Sequence, residues 1–289
     1  MFLDTISNER IYNSLASILT TDVNVIKEYI TERAVEIVSN NYNEHVIKDM
    51  EIDSLKNICR CENPYPIEHL IVHHIAPREF IENVFQEGIC TLPHALVNKT
   101  VLSLYLAGLG FQFKFEDNHL LMKKDGKEID VKKLNFSNLL MRLGGKGTTN
   151  DFNVNGYLFA VDFRLEHCRG WLGSPEILKS LSNAFGDRSI ADNYTERCSN
   201  YLISFQVPIN KIDIENFNAD IDNEMKTELL IKYSVNLLAF GEVKKAMACD
   251  MYNPIIFLKR DFDVPAECIK KIWKLKCKNG ILTPVDLLS

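Results

Sequence analysis

The chain lacks any run of about 18 apolar residues, so no membrane-spanning helix is expected. It lacks net positive charge: 33 basic residues against 39 acidic ones leave −6. The protein as a whole is therefore not expected to hold nucleic acid by charge, although a local basic face stays possible. Its first residues, MFLDTISNER, lack both the positive region and the apolar stretch of an export signal. A reduced, cytoplasmic setting is the expectation for its eight cysteines, Cys59, Cys61, Cys90, Cys168, Cys198, Cys249, Cys268 and Cys277. Zinc spacing is lacking too. Cys59 and Cys61 with His69, His73 and His74 offer soft ligands, but no second cysteine pair stands at a finger or ribbon distance, and no metal is expected. No G-x-S-x-G elbow occurs, and Cys168 beside His167 is sequence adjacency only. GGKGTTND, from Gly144 to Asp151, lacks phosphate-loop spacing because Lys146 is followed by Gly147; it also precedes a strand rather than a helix, and reads as a mobile loop over a pocket. Internal repeats and low-complexity segments are absent.

What is present is an ordinary globular composition, 46% hydrophobic and 25% charged, enough for a sizeable core. Residues 1 to about 60 read as helical. Ile11, Leu15, Ile18 and Leu19 make one amphipathic run. Thr21 and Asp22 can cap the next, in which Val25, Ile26, Ile30, Ala34, Val35 and Ile37 recur at a helical period, and Ile52, Leu55 and Ile58 mark a third. Residues 1–62 are thus expected to form a helical N-terminal segment that covers one face of the main domain, 63–289, or selects a partner. CENPYP, Cys61–Pro66, is the proline-bounded linker between them.

The central stretch is His69–Ile89. Leu70, Ile71 and Val72 read as a buried strand with His73 and His74 at its C-terminal end. Pro77 breaks the run, and Phe80, Ile81, Val84 and Phe85 follow at helical spacing up to Gly88. Ala95–Ala107 predicts a buried helix. FQFKFEDNHLLMKKDGKEIDV predicts a small meander with turns at EDNH and KDGK. Further along come a helix over Phe136–Leu143, a strand over Asn155–Phe163, a loop RLEHCRGWLG and a helix starting at SPE. A strand over Tyr201–Pro208, a long helix over Met225–Phe240, a strand PIIFL and a closing helix VPAECIKKIWKL complete the chain.

Adjacent histidines on a strand point to opposite faces, so one of them meets the core or a pocket. A satisfied core histidine with an exposed neighbour, and a His74 that binds a ligand, both stay open on the residues alone. Arg164, Glu166, His167, Arg169 and Trp171 follow a strand as a polar, aromatic cluster. Arginine forks suit phosphate and the indole offers a stacking face, though an ordinary solvated connection is the slightly favoured reading of the residues alone. Tyr157 is either core or pocket lining.

In combination these stretches resemble a known family. His74, Ile75, Ala76 and Pro77 through Gly88 and Ile89 are similar to the opening of the ADP-ribosyltransferase fold, as in DNA-modifying toxins of the DarT type. GYLFAVDF looks like the strand that supplies an aromatic ring in that fold, YLISFQVPINKIDIE like its central strand, and the final strand with DVPAECIKKI like its ending. The resemblance spans roughly residues 66 to 275. It implies an α+β fold with a split β-sheet and NAD bound as substrate in a cleft. His73, His74, Tyr157, Arg164 and Trp171 would bind it, and His74, Tyr157 and a glutamate would be catalytic. The strand Pro254–Leu258 carries no acid, which leaves Glu242, and after it Asp250, as the carboxylate; Ala76 stands where the family has threonine. The activity implied is transfer of ADP-ribose to a protein or nucleic-acid acceptor, in a toxin or phage-defence setting. A non-catalytic nucleotide- or partner-binding module of the same fold is the first alternative. An NAD-independent RNA-processing enzyme using His73 or His74 with Arg164 or Arg169 is the second.

Overall fold

The computed structural model describes residues 1–41, 49–134, 136–144, 151–161, 163–215, 221–244 and 253–287. It is a mixture of helices and antiparallel sheets. The strand β1 (Phe2–Leu3) leads into α1 (Asn8–Ile18), whose cap Ser7 accepts from the Arg10 N–H. Then come α2 (Val23–Asn41), α3 (Asp49–Cys59) and the central strand β2 (His69–Arg78). Next are short helices α4 (Val84–Glu87), α5 (Leu92–Val97) and α6 (Val101–Gly108), and the meander β3 (Phe111–Glu116), β4 (His119–Lys124) and β5 (Lys127–Glu128). After α7 (Ser137–Leu143), β6 (Asn155–Tyr157), β7 (Phe163–Arg164) and α8 (Leu165–Cys168) come α9 (Glu176–Phe185) and α10 (Ser189–Thr195). The last part holds β8 (Ser199–Pro208), β9 (Ile212–Ile214), α11 (Asn223–Lys244), β10 (Ile255–Leu258), β11 (Ile269–Lys278) and β12 (Ile281–Asp286).

The large sheet runs in the order β7-β12-β11-β8-β2-β6-β10-β9, with β1 parallel to the start of β2; β3, β4 and β5 form a separate small sheet. β2 and β8 pair along their full lengths, from His69↔Pro208 to Arg78↔Ser199. Both are apolar on both faces, as strands covered on both sides must be. On one face Leu70, Val72 and Ala76 share a core with Ile11 and Leu15 of α1, Ile26 and Ile30 of α2, Leu55 of α3 and Leu230 of α11. The N-terminal helices therefore pack into the same core as the sheet. The other face carries Ile75, Tyr157, Phe163, Leu202, Trp273 and Leu275. A second core lies apart, where Leu106, Phe111, Leu120, Leu139, Leu178 and Tyr194 join α6, the meander, α7, α9 and α10.

Several expectations need correction. β2 does not end at the histidines: it continues through Pro77 to Arg78, so His73 and His74 lie mid-strand. Proline is tolerated because β6 meets β2 only at His73, and beyond it no strand among the described residues lies on that side of β2 to receive an N–H. The helix after Pro77 is a 3₁₀ turn, Ile81–Asn83, followed by α4; Gly88 does end it, at φ 69°. Ala95–Ala107 is two helices, because Thr100 and Ser103 form a capping box that starts α6 afresh. The strand expected over Asn155–Phe163 keeps its ladder only to Tyr157. Beyond that the Asn253 side chain takes over, accepting from the Phe159 N–H at 2.8 Å and donating to its carbonyl at 2.9 Å. RLEHCRGWLG is not an open loop but α8 and a 3₁₀ turn, Arg169–Trp171. The closing helix is overturned. Ala266–Cys268 is one 3₁₀ turn, and IKKIWKLKCK is β11, between β8 and β12. Its buried Trp273 and Leu275 alternate with exposed Lys274 and Lys276, a period of two. Residues 145–150 of the glycine-rich segment, and Asp250, lie outside the described residues.

Candidate functional site

The two cores meet at a cleft. One wall is the open side of β2, His74 to Arg78, with Asn153, Val154 and Asn155 beside it. The opposite wall comes from the second core: Leu92, Thr100, Val101, Arg142, Glu176 and Tyr194. Trp171, Pro175, Val84, Gly88 and Cys90 also line it. A concave site at such a junction, apolar with a few convergent polar groups, is where a small ligand is ordinarily held.

The paired histidines take separate parts. His73 is fully buried. Thr5 donates its hydroxyl to the Ile71 carbonyl at 3.0 Å, so the His73 Nε2–H donates to Thr5 Oγ1 at 3.0 Å, and Nδ1 accepts from the Ser204 hydroxyl at 2.6 Å. Burial pushes its pKa down to about 3, so it is a neutral core imidazole and does not reach the cleft. His74 points to the other face and lines the cleft. Its Nδ1–H donates to the Asn155 carbonyl at 2.6 Å, which fixes the tautomer and leaves Nε2 as an acceptor with no partner among the described residues. Burial first, then the Arg78 guanidinium, pushes its pKa down to about 4.

Tyr157 pairs in register with His73 and so shares that histidine's face, opposite the face of His74. It is buried, its ring 4.7 Å from Phe163 and 5.3 Å from Trp171. Trp171 touches Tyr157 on one side and lines the cleft on the other. Lys179 holds that turn in place by donating to the carbonyls of Gly170 at 2.6 Å and Leu172 at 2.9 Å. Arg164 sits on β7 beside Glu166, at 3.9 Å, and is not part of the cleft wall. Glu242 is exposed near the end of α11, close enough to Tyr12 of α1 that it adds to burial in raising that phenol to about 12. It does not line the cleft either. The structure therefore brings His74 and Trp171 together, holds Tyr157 behind Trp171, and leaves His73, Arg164 and Glu242 elsewhere.

Residue-by-residue reading missed the cleft's ionic centre. Arg142 on α7 donates to Asp151 at 2.5 Å and to Glu176 at 2.9 Å, while its Nε, also buried, has no partner among the described residues. Burial raises the Glu176 pKa even against this guanidinium. Glu176 was legible only as part of a helix start, and its partnership across 34 residues leaves no local signal. Arg78 is the other arginine on the wall, and its one hydrogen bond among the described residues is to the carbonyl of its neighbour Pro77, at 3.5 Å. Cys90 is no nucleophile at neutral pH: burial, then Asp263, pushes its thiol up to about 11. All seven described cysteines are free thiols. Among the described residues no group of three or more histidine, cysteine or acidic side chains could hold a metal, and no helix is long and apolar enough to cross a membrane. No family model, no curated protein and no solved structure matches the chain.

Proposed function

We propose that the cleft binds the ribosyl-nicotinamide half of NAD and that the protein transfers ADP-ribose to a protein or nucleic-acid acceptor, on an ADP-ribosyltransferase-like split sheet. One observation carries the reading: the neutral, tautomer-locked His74, on the strand where the resemblance puts its ribose-binding histidine, presents an acceptor nitrogen in the only part of the tandem pair open to a ligand. An acceptor nitrogen suits a ribose hydroxyl, which donates. Trp171 offers the ring for nicotinamide, and Arg78 a cation for the pyrophosphate. The cavity encloses about 200 Å³, less than a whole dinucleotide needs, so the adenosine half would lie across its open mouth. NAD supplies the activated glycosidic bond; the chain binds, orients and excludes water. A toxin or defence role in the cytoplasm accords with this chemistry.

The test is a melting curve with and without NAD, beside nicotinamide release from labelled NAD in cell extract. NAD at 100 times its Kd should stabilise the fold by about 2.7 kcal/mol, and His74→Ala should abolish both the stabilisation and the release. An unchanged melting temperature across millimolar NAD would sink the reading. The position of Glu242 favours one rival, a binding module without turnover. It predicts stabilisation by NAD with no nicotinamide released.

A further inference from the structure

We infer that Glu176 is the catalytic carboxylate of this cleft, the group that faces the ribose carbon as its bond to nicotinamide breaks. The inference rests on the proposed transfer of ADP-ribose and supplies the residue that the closing strand lacks.

Four acids line the cleft: Glu79, Glu87, Asp151 and Glu176. Glu87, the last residue of α4, is exposed, and Glu79 is half-buried, close enough to Tyr194 and Cys198 to help raise the pKa of both. Asp151 likewise gives one oxygen, Oδ2, to Arg142 at 2.5 Å, so what separates it from Glu176 is position. Glu176 spends only Oε2 on that guanidinium; Oε1 has no hydrogen-bond partner among the described residues and lies against Gly170, the residue before Trp171. The carboxylate is therefore anchored on one oxygen and open on the other, next to the aromatic wall on which nicotinamide would stack.

Charge supports the same assignment. One guanidinium shared between two carboxylates leaves the trio Arg142, Asp151 and Glu176 with a net negative charge at a half-buried place in the cleft wall. That is what a sugar carbon developing positive charge requires, and a preorganised charge there needs no rearrangement at the moment of reaction. Asp151 has a second part in this: by taking one arm of Arg142 it stops the cation from neutralising Glu176 outright. Glu176 also opens α9, and Lys179, one turn further on, clasps the Arg169–Trp171 turn, so one helix sets both carboxylate and ring.

The step balances as follows. The bond between the ribose carbon and the nicotinamide nitrogen breaks, and its electron pair leaves with nicotinamide, which becomes neutral. A lone pair of the acceptor oxygen or nitrogen forms the new bond to that carbon. The acceptor's proton passes to Glu176 and then to water. The products are nicotinamide, the ADP-ribosylated acceptor and one proton.

The experiment compares full-length wild type, Glu176→Gln, Glu176→Asp and Glu242→Gln for nicotinamide release from labelled NAD in extract, with melting curves run with and without NAD. Glu176→Gln should lower release by about 100- to 1,000-fold while NAD still raises its melting temperature. Glu176→Asp, which keeps the charge, should recover part of the rate and controls for loss of the ion pair to Arg142. Release by Glu176→Gln within threefold of wild type, or loss of release in Glu242→Gln instead, overturns the assignment and leaves the proposed transfer standing. No release by wild type overturns both.

Discussion

Gly88→Ala is expected to lower the melting temperature by about 10 °C. Gly88 sits at φ 69°, where an alanine costs about 1–2 kcal/mol in backbone strain. Its added Cβ would also stand 2.1 Å from the Val264 carbonyl oxygen, a backbone atom that cannot swing aside. That carbonyl accepts from the Ile89 N–H at 2.9 Å, and the Val264 N–H returns a bond to Ile89 at 2.9 Å, so moving it loosens both, at about 1 kcal/mol each. The sum is about 3–4 kcal/mol, and about 1 kcal/mol lowers the melting temperature of a chain this large by roughly 2–4 °C. Gly126→Ala isolates the strain: Gly126 has φ 77° but nothing within 4 Å of the added carbon. Circular-dichroism melts of both variants decide the matter; equal shifts would mean that the Val264 segment yields freely. Because Gly88 and Ile89 both line the cleft, Gly88→Ala should also weaken stabilisation by NAD.

Acid should destabilise the protein steeply, and His73 should account for much of the slope. Its folded pKa is about 3 and that of His74 about 4, both depressed by burial from the ordinary 6.5. A depressed histidine binds its proton in the unfolded chain first. Stability is thus fully present above pH 6.5 and falls as pH drops from 6.5 toward 4, where the unfolded state holds the extra protons. Each histidine contributes about 1.4 kcal/mol per pH unit across that window. Urea unfolding of wild type between pH 7.5 and 4.5 should show roughly two protons' worth of slope, and His73→Gln about one. The same slope in both would mean that the imidazole is charged, or solvated, inside the folded protein.

The paired strands, the meander and the long helix were legible because their signals are local. Asp117, Asn118, Asp125 and Gly126 take the positive φ that their turns demand, and α11 carries Leu229, Leu230, Ile231, Val235, Leu237, Leu238 and Phe240 close together along its buried middle. The mid-strand position of the histidines was not legible, because Pro77 looks like a stop unless one knows that β6 meets β2 only at His73. β11 was misread because Ile269, Ile272 and Trp273 fit a helical period as well as a pleated one, and only pairing with β8 decides between them. In the site, the tandem histidines announced that one of them would meet the core or a pocket and that His74 was the candidate for a ligand, while a merely exposed neighbour stayed compatible with the residues. Glu242 looked plausible because it precedes the closing strand in sequence; in space α11 carries it to α1. Arg142, Asp151 and Glu176 were invisible singly, since their meaning lies wholly in their convergence.

The two hydroxyls on His73 also set a timetable for the newly made chain. One comes from residue 5, 68 positions back, and the other from residue 204, 131 positions ahead. β2 therefore leaves the ribosome with its imidazole half satisfied and its longest partner unmade. At about 5–20 residues per second β8 follows only on the order of ten seconds later. Over that interval a largely apolar strand waits for its neighbour, and the sheet cannot close by growing from either end. Such an order of assembly favours slow folding dominated by distant contacts, and it makes β2 the segment a chaperone has most reason to hold.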